Sequence, residues 1–201
     1  MPLETPKDLQ NFAKAKFEQY FDAEISIGKS AGFRIDRDIY SPEPDVAVGP
    51  FATGTRKFIQ KYNHMASESR DFIEMCIEAY ETNRRNHSRN LSSWGTRFHI
   101  PEFETFCNEA SNENSRCFIA VEIENDSTSL KHLLGSTINA VALGRVGILV
   151  GFSDDKVRAF LRCLDYLKFL KDVGKPSINF SNGLVLTKDQ FIDILSKLER
   201  G

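Results

Sequence analysis

The sequence lacks several features that would place the protein in a class at once. No stretch approaches the roughly 20 consecutive apolar residues of a membrane span. The N-terminus, residues 1–10, is polar and resembles neither a signal nor a transit peptide. The four cysteines show no C-x-x-C spacing and the four histidines no H-x-x-x-H spacing, so no zinc site is predicted. We therefore expect a cytoplasmic protein outside the membrane, with reduced and mostly buried thiols.

An excess of charge of one sign and a phosphate-binding loop are also missing. The net charge is −2, so no global field attracts a polyanion, and a nucleic-acid site would need a local basic patch. Gly28-Lys29-Ser30 resembles the end of a P-loop, but the upstream glycine that this motif requires is replaced by Ala23.

What is present is typical of one globular domain. The chain has 201 residues, of which 41% are apolar and 27% charged, and a chain of this length buries a sizeable core without disulfides. Sixteen phenylalanines supply large side chains for that core.

Hydrophobic periodicity indicates the order of elements in the first half of the chain. The first helix spans residues 6–22, with Thr5 as its cap and Pro6 at its first helical position. Two strands follow at residues 33–40 and 45–48, and we expect them to form a hairpin. Residues 53–85 form a helix, and residues 86–117 an irregular stretch with a helical turn near 101–110.

The second half reads as an alternation of strands and helices. A strand at 118–124, a helix ending at Gly144 and a buried apolar strand at 145–152 form a unit that predicts parallel strands with a right-handed crossover. A helix over 155–173, a small hairpin over 178–186 and a last helix capped by Thr187 follow. The order predicts an α/β sandwich around a mixed sheet.

Two glutamates on the predicted central strand are the most informative feature. Glu122 and Glu124 are two residues apart, so both point to the same face of the strand. Carboxylates held close together at reduced dielectric repel each other, and a divalent cation relieves that repulsion. If the strand that begins at Asp45 is a neighbour in the sheet, Asp45 and Glu122 could share one ion near the backbone carbonyl of Ile123. Such a site suits phosphodiester hydrolysis.

The chain order around these acids resembles the PD-(D/E)xK nuclease superfamily. The resemblance covers most of residues 6–152 and rests on Pro44-Asp45 and on Glu122-Ile123-Glu124. It implies a restriction-endonuclease-like fold, a three-layer α/β/α sandwich around a mixed central sheet, in which residues 1–201 form a single domain. The stretch at about 53–116 would be a helical and basic loop insertion.

Residue by residue, the resemblance implies that Asp45 and Glu122 hold Mg²⁺ or Mn²⁺. Glu124 stands where the family usually has Lys, and would act as a third metal ligand or as the general base. In some members the lysine lies on the following helix, where this sequence has Lys131. A further acid from the first helix would be Glu18.

A basic stretch is the candidate for contacts with nucleic acid. Residues 82–101 contain no acidic residue but four arginines, Arg84, Arg85, Arg89 and Arg97, interleaved with aromatic and polar side chains. This composition suits phosphate contacts and base stacking. A solvated surface loop that balances acids elsewhere is an equal interpretation.

Three functional hypotheses follow. The first is a Mg²⁺-dependent nuclease acting on DNA, and the second is a catalytically inactive nucleic-acid-binding or regulatory protein on the same fold, suggested by the absent lysine at position 124. The third is a protein-binding scaffold, since a Glu-x-Glu pair is also common on a solvated sheet face. The Leu and Phe pattern at 157–170 is read as core, with a homodimer face as the alternative.

Overall fold

The computed structural model of the protein describes residues 3–27, 42–51, 58–87, 102–110, 112–175 and 180–198. Their main feature is a five-stranded mixed sheet in which the strands follow one another in chain order. β1, β2 and β3 pair antiparallel, whereas β3, β4 and β5 pair parallel. The strands are β1 Ile25–Ser26, β2 Val46–Val48, β3 Cys117–Glu124, β4 Gly144–Gly151 and β5 Gly183–Thr187.

Seven α-helices surround this sheet within the described ranges. They are α1 Pro6–Tyr20, α2 Ile59–Glu68, α3 Arg70–His87, α4 Phe103–Thr105, α5 Leu130–Leu143, α6 Asp154–Asp172 and α7 Lys188–Ser196. A π-helical turn, Phe106–Ala110, continues α4, which confirms the predicted helical turn near 101–110. α5 connects β3 to β4 and α6 connects β4 to β5, so the two parallel pairs are made by helical crossovers.

Local sequence signals set several helix starts. Thr5 and Asp8 form a capping box at α1, with Pro6 in the first turn, and Thr187 and Gln190 form another at α7. These confirm the predicted caps. Each box satisfies backbone N–H groups that the first helical turn leaves without intrahelical partners.

The core lies around β3 and β4. All eight residues of β4 are buried, which confirms the fully buried parallel strand expected from its apolar run. Aromatic rings pack edge to face beside the sheet, with ring centroids 5.9 Å apart for Phe17 and Phe72 and 5.7 Å apart for Phe21 and Phe118. The four cysteines are free thiols, as expected.

The single helix expected over 53–85 is wrong, because α2 and α3 are separate helices with a break at Ser69. The hydroxyl and the N–H of Ser69 both donate to the carbonyl of Met65, and this capping interrupts the helix. The apolar stripe continues across the break, so periodicity alone could not reveal it. Both helices supply core residues, including Tyr62 and Phe72.

Part of each predicted hairpin lies outside the described residues. The strand at 33–40 is one such part, and β2, the predicted partner of that strand, pairs with β1 and β3. Residues 178–179, in the first arm of the hairpin over 178–186, are another, and Gly183–Thr187 of the second arm forms β5, which pairs parallel with β4. An apolar strand carries no local signal of which strand it pairs with. The sequence therefore did not reveal that the βαβ unit continues by one more crossover, through α6 to β5.

The architecture is thus α/β with a mixed sheet, and it is compatible with a sandwich of three layers. α5 packs on β3 and β4, α6 on β4 and β5, and α3 on β5. In the part of the chain that the structure describes, no helix is both long enough and apolar enough to cross a membrane.

Candidate active site

Pairing of β2 with β3 brings two of the predicted site residues together. Val46 lies opposite Val121 in the antiparallel register, and continuing that register by one residue places Asp45 opposite Glu122. Residues opposite each other on neighbouring strands have Cβ atoms about 5 Å apart. The two acids, distant in sequence, therefore face each other across one strand pair.

Asp45 is held in place by two hydrogen bonds. The backbone N–H of Ile123 donates to its Oδ2 at 2.7 Å, and the side-chain amide of Gln10 donates to its Oδ1 at 2.8 Å. Burial raises the pKa of Asp45 to about 6, although the bond from Ile123 acts in the opposite direction and the negative charge of Glu124 adds to the increase. The N–H of Ile123 thus orients Asp45, and the place suggested for its carbonyl near an ion stays a prediction.

Glu122 is the more buried of the two acids. Only 5% of its surface is exposed, and its Oε1 meets no hydrogen-bond donor among the described residues. Burial raises its pKa well above the ordinary value, and the charges of Asp45 and Glu124 raise it further, while a hydrogen bond from Asn139 lowers it. A cation bound here would give this buried carboxylate oxygen the partner that it lacks among the described residues.

Glu124 lies on the same face but has its own partners. The hydroxyls of Thr128 and Ser136 donate to its two oxygens, Thr128 at 2.6 Å. Ser136 and the Asn139 that contacts Glu122 both belong to α5, so both glutamates point toward the helix that follows their strand.

Among the described residues, no group of three or more His, Cys, Asp and Glu side chains is arranged to hold a metal ion. The arrangement therefore offers Asp45 and Glu122 as principal ligands rather than a cage of three acids. This donor set still fits Mg²⁺, which is commonly bound through one or two carboxylates and keeps several waters.

Two lysines follow strands that end near the acids, Lys131 in α5 and Lys156 in α6, and the role suggested for Lys131 stays a prediction. Lys131 is exposed in the first turn of α5, at helical spacing from the exposed Gly135 and Ile138. Lys156, in the first turn of α6, instead donates from Nζ to the carbonyl of Thr128 at 2.5 Å, and the hydroxyl of Thr128 donates to Glu124. Lys156 is thus one residue removed from the acidic face.

The first helix contributes an amide instead of the suggested acid. Glu18 forms an exposed ion pair with Lys14, while Gln10 contacts Asp45. Sequence reasoning missed Gln10, Asn139 and Lys156. Only Asn139 carried a signal, because a polar residue on the inward face of the apolar helix α5 requires a partner.

The basic stretch is divided by the structure. Arg84 is 5% exposed and pairs with Asp165 at 2.7 Å, while its Nε donates to the hydroxyl of Tyr80. Its charge is therefore buried in an internal ion pair and does not face the solvent. Arg85 is 75% exposed beside Glu81. Arg89 and Arg97 lie outside the described residues.

Comparison with protein-family models, with curated proteins and with solved structures finds no match to this chain. The chemistry of the site therefore follows from its own residues. Two opposed acids, one with an unpartnered buried oxygen, lie beside a hydrogen-bonded third acid and a lysine one contact away. This arrangement can hold a hard cation and can accept a proton.

Proposed function

We propose that this protein hydrolyses phosphodiester bonds of DNA with Mg²⁺ or Mn²⁺ bound between Asp45 and Glu122, on a restriction-endonuclease-like α/β/α fold. The observation that carries the proposal is the buried carboxylate of Glu122, whose Oε1 has no partner among the described residues and which lies opposite Asp45. Two buried carboxylates in this relation are unfavourable unless a proton or a cation separates their charges.

Two hydrogen bonds orient the carboxylate of Asp45 for binding a cation. The N–H of Ile123 and the amide of Gln10 fix the carboxylate of Asp45 in one orientation. Each oxygen of Asp45 keeps a further lone pair for a ligand, since a carboxylate offers about four acceptor sites. When bound, the cation would polarise a phosphoryl oxygen and lower the pKa of the attacking water.

Glu124 and Lys156 are proposed as the groups that move or stabilise charge. Each oxygen of Glu124 accepts one hydroxyl hydrogen bond, so both retain a lone pair that can accept a proton from water. The ammonium of Lys156 uses one of its three donors on the carbonyl of Thr128. Its other donors are proposed to contact the phosphate and stabilise developing negative charge.

Two lysines near the same edge of the sheet support the proposal that the substrate is a polyanion. Lys156 and Lys188 lie in the first turns of α6 and α7, where a helix dipole favours acids over lysines. Both helices follow parallel strands, so both first turns lie at the carboxyl ends of β4 and β5. Glu124, at the end of β3, is in register with Gly151 at the end of β4.

The test is incubation of the purified protein with supercoiled plasmid and with single-stranded DNA, in Mg²⁺ or Mn²⁺. We expect cleavage that is abolished by chelation and reduced on the order of 100-fold or more in Glu122→Ala. Glu18→Ala is the matched control, because Glu18 is exposed and its ion pair is with Lys14 on the same helix. Cleavage by Glu122→Ala at the wild-type rate would reject the proposal.

A catalytically inactive nucleic-acid-binding protein on the same fold is the second candidate. It is favoured by one observation, that Glu124 occupies the position of the usual lysine and is tied to Thr128 and Ser136. Under this alternative, Mg²⁺ raises the melting temperature of the wild type but not of Glu122→Gln, and DNA is bound in a salt-dependent manner without being cut.

A further inference from the structure

A second site lies at the opposite end of β4 from the acids. A cavity of about 150 Å³ is lined by apolar side chains, by the exposed polar residues Asn63, Ser67 and Asn108, and by Arg145 at the start of β4. Arg145 is six positions before Gly151, which is in register with Glu124. At about 3.3 Å per residue the two sites are roughly 20 Å apart, and this inference does not rest on the proposed nuclease activity.

Arg145 carries a buried charge whose hydrogen bonds are incomplete. It is 6% exposed, and its Nη2 donates to Asn63 at 2.7 Å and to the carbonyl of Cys107 at 3.3 Å. Both acceptors are neutral. Its Nη1, also buried, meets no acceptor within the described part of the chain. Buried guanidinium groups are normally paired with an anion, and Arg145 lines the cavity without such a pair among the described residues.

The neighbouring titratable groups leave that charge largely unneutralised. Burial raises the pKa of the Cys107 thiol to about 11, so the thiol is neutral at physiological pH. Glu113 is exposed, and its charge raises the pKa of Arg145. No ion pair joins Arg145 to an acid among the residues described. Burial lowers the pKa of Arg145, while the charges of Cys107 and Glu113 act in the opposite direction.

The size and lining of the cavity define the ligand further. Phe103, Phe106, Ala66 and Val146 form the apolar part of its walls, and a volume of about 150 Å³ is enough for one benzene ring. One guanidinium with a single free nitrogen matches one carboxylate, whereas a doubly charged phosphate would leave a second charge against apolar walls.

We propose that this cavity binds a small organic monocarboxylate with an apolar body about the size of a six-membered ring, through the Nη1 of Arg145. The carboxylate takes the free donor, and the ring displaces water from the walls formed by Phe103 and Phe106. Asn63 and the carbonyl of Cys107 accept hydrogen bonds from the Nη2 of the same guanidinium and hold it in place.

The test uses benzoate as the probe in calorimetric titration and in thermal melts of the full chain. Benzamide has the same shape without the charge, acetate has the charge without the ring, and inorganic phosphate has the higher charge. We expect benzoate to bind and to raise the melting temperature, with the three others at least about tenfold weaker. Binding of benzamide equal to that of benzoate, tighter binding of phosphate or no binding of benzoate would each overturn the proposal.

Variants at the rim of the cavity locate the binding. Ser67 is exposed on α2, so Ser67→Glu keeps the fold and introduces a carboxylate that competes for Arg145, while Ser67→Gln has the same length without charge. We expect Ser67→Glu to weaken benzoate binding at least about tenfold and Ser67→Gln to retain it. Equal affinity in the two variants would place the bound benzoate elsewhere and reject the site.

Discussion

The Oδ2 of Asp45 accepts a hydrogen bond from the backbone N–H of Ile123 at 2.7 Å, although the two residues are 78 positions apart in sequence. This contact couples the strand that begins after Asp45 to the strand that carries Glu122. It also orients Asp45 toward the acidic face while leaving its pKa raised to about 6 by burial. The stability and the chemistry of the site therefore depend on the same carboxylate.

The raised pKa of Asp45 predicts a loss of stability as the pH rises. The native carboxyl keeps its proton up to about pH 6, whereas the unfolded one loses it near 3.8. Stability is therefore full below 3.8 and is lost as pH rises through 6, by about 2 to 3 kcal/mol for a shift of about two units. Denaturant unfolding of Asp45→Asn at several pH values should show a smaller decline.

Asp22→Asn is the control for this measurement, because Asp22 is exposed. Part of the decline remains in Asp45→Asn, since burial also raises the pKa of Glu122. If Asp45→Asn and the wild type lose stability in parallel between pH 4 and 7, the charge of Asp45 is not the cause.

Two lysine variants distinguish the lysine that the sequence suggested from the one that contacts a partner of Glu124. Lys156 contacts Thr128, a partner of Glu124, while Lys131 is exposed. On the proposed function, Lys156→Ala should slow DNA cleavage on the order of 100-fold and Lys131→Ala should change it little. Melting temperatures show whether each variant is folded, and a larger loss in Lys131→Ala would reverse the assignment.

Arg84 is predicted to stabilise the fold. Its guanidinium is buried against Asp165 and Tyr80, so Arg84→Ala leaves Asp165 without its partner and should cost about 3 kcal/mol in the free energy of unfolding. Arg85→Ala, at an exposed residue one position on, should cost no more than about 0.5 kcal/mol. Chemical denaturation checks both, and similar losses would show that the ion pair of Arg84 contributes little.

Gly151 is predicted to be required where α6 approaches the sheet. A Cβ at this position would lie 2.8 Å from the backbone nitrogen of Val157, so Gly151→Ala should cost on the order of 2 kcal/mol. Gly135 on α5 has nothing within 4 Å of the same added atom. Gly135→Ala should therefore stabilise the protein by up to about 1 kcal/mol. Thermal melts compare the two, and a neutral Gly151→Ala would contradict the close approach.

Much of the fold could be predicted from the sequence because its signals are local. Thr5 and Thr187 cap helices through side-chain bonds to residues three positions away. The alternation in β3 places Glu122 and Glu124 on one face whatever the partner strand. The apolar run of β4 indicates a strand covered on both sides.

Other features were decided only by the tertiary structure. The break at Ser69 lies within an unbroken apolar stripe, and β5 carries no mark of its parallel pairing with β4. Gln10 and Lys156 reach the acidic face because α1 and α6 are packed beside it, not because of any motif. Arg84 is buried, although in sequence it resembles its exposed neighbour Arg85.

The sequence by itself determined which residues carry charge, where most helices and strands begin, and which side chains share a strand face. These properties follow from interactions within a few positions of the chain. Only the tertiary structure decided that Asp45 faces Glu122, that one oxygen of Glu122 has no partner among the described residues, and that Arg145 lines a cavity. Those outcomes depend on how distant segments exclude water from one another, and that exclusion sets the pKa of each acid.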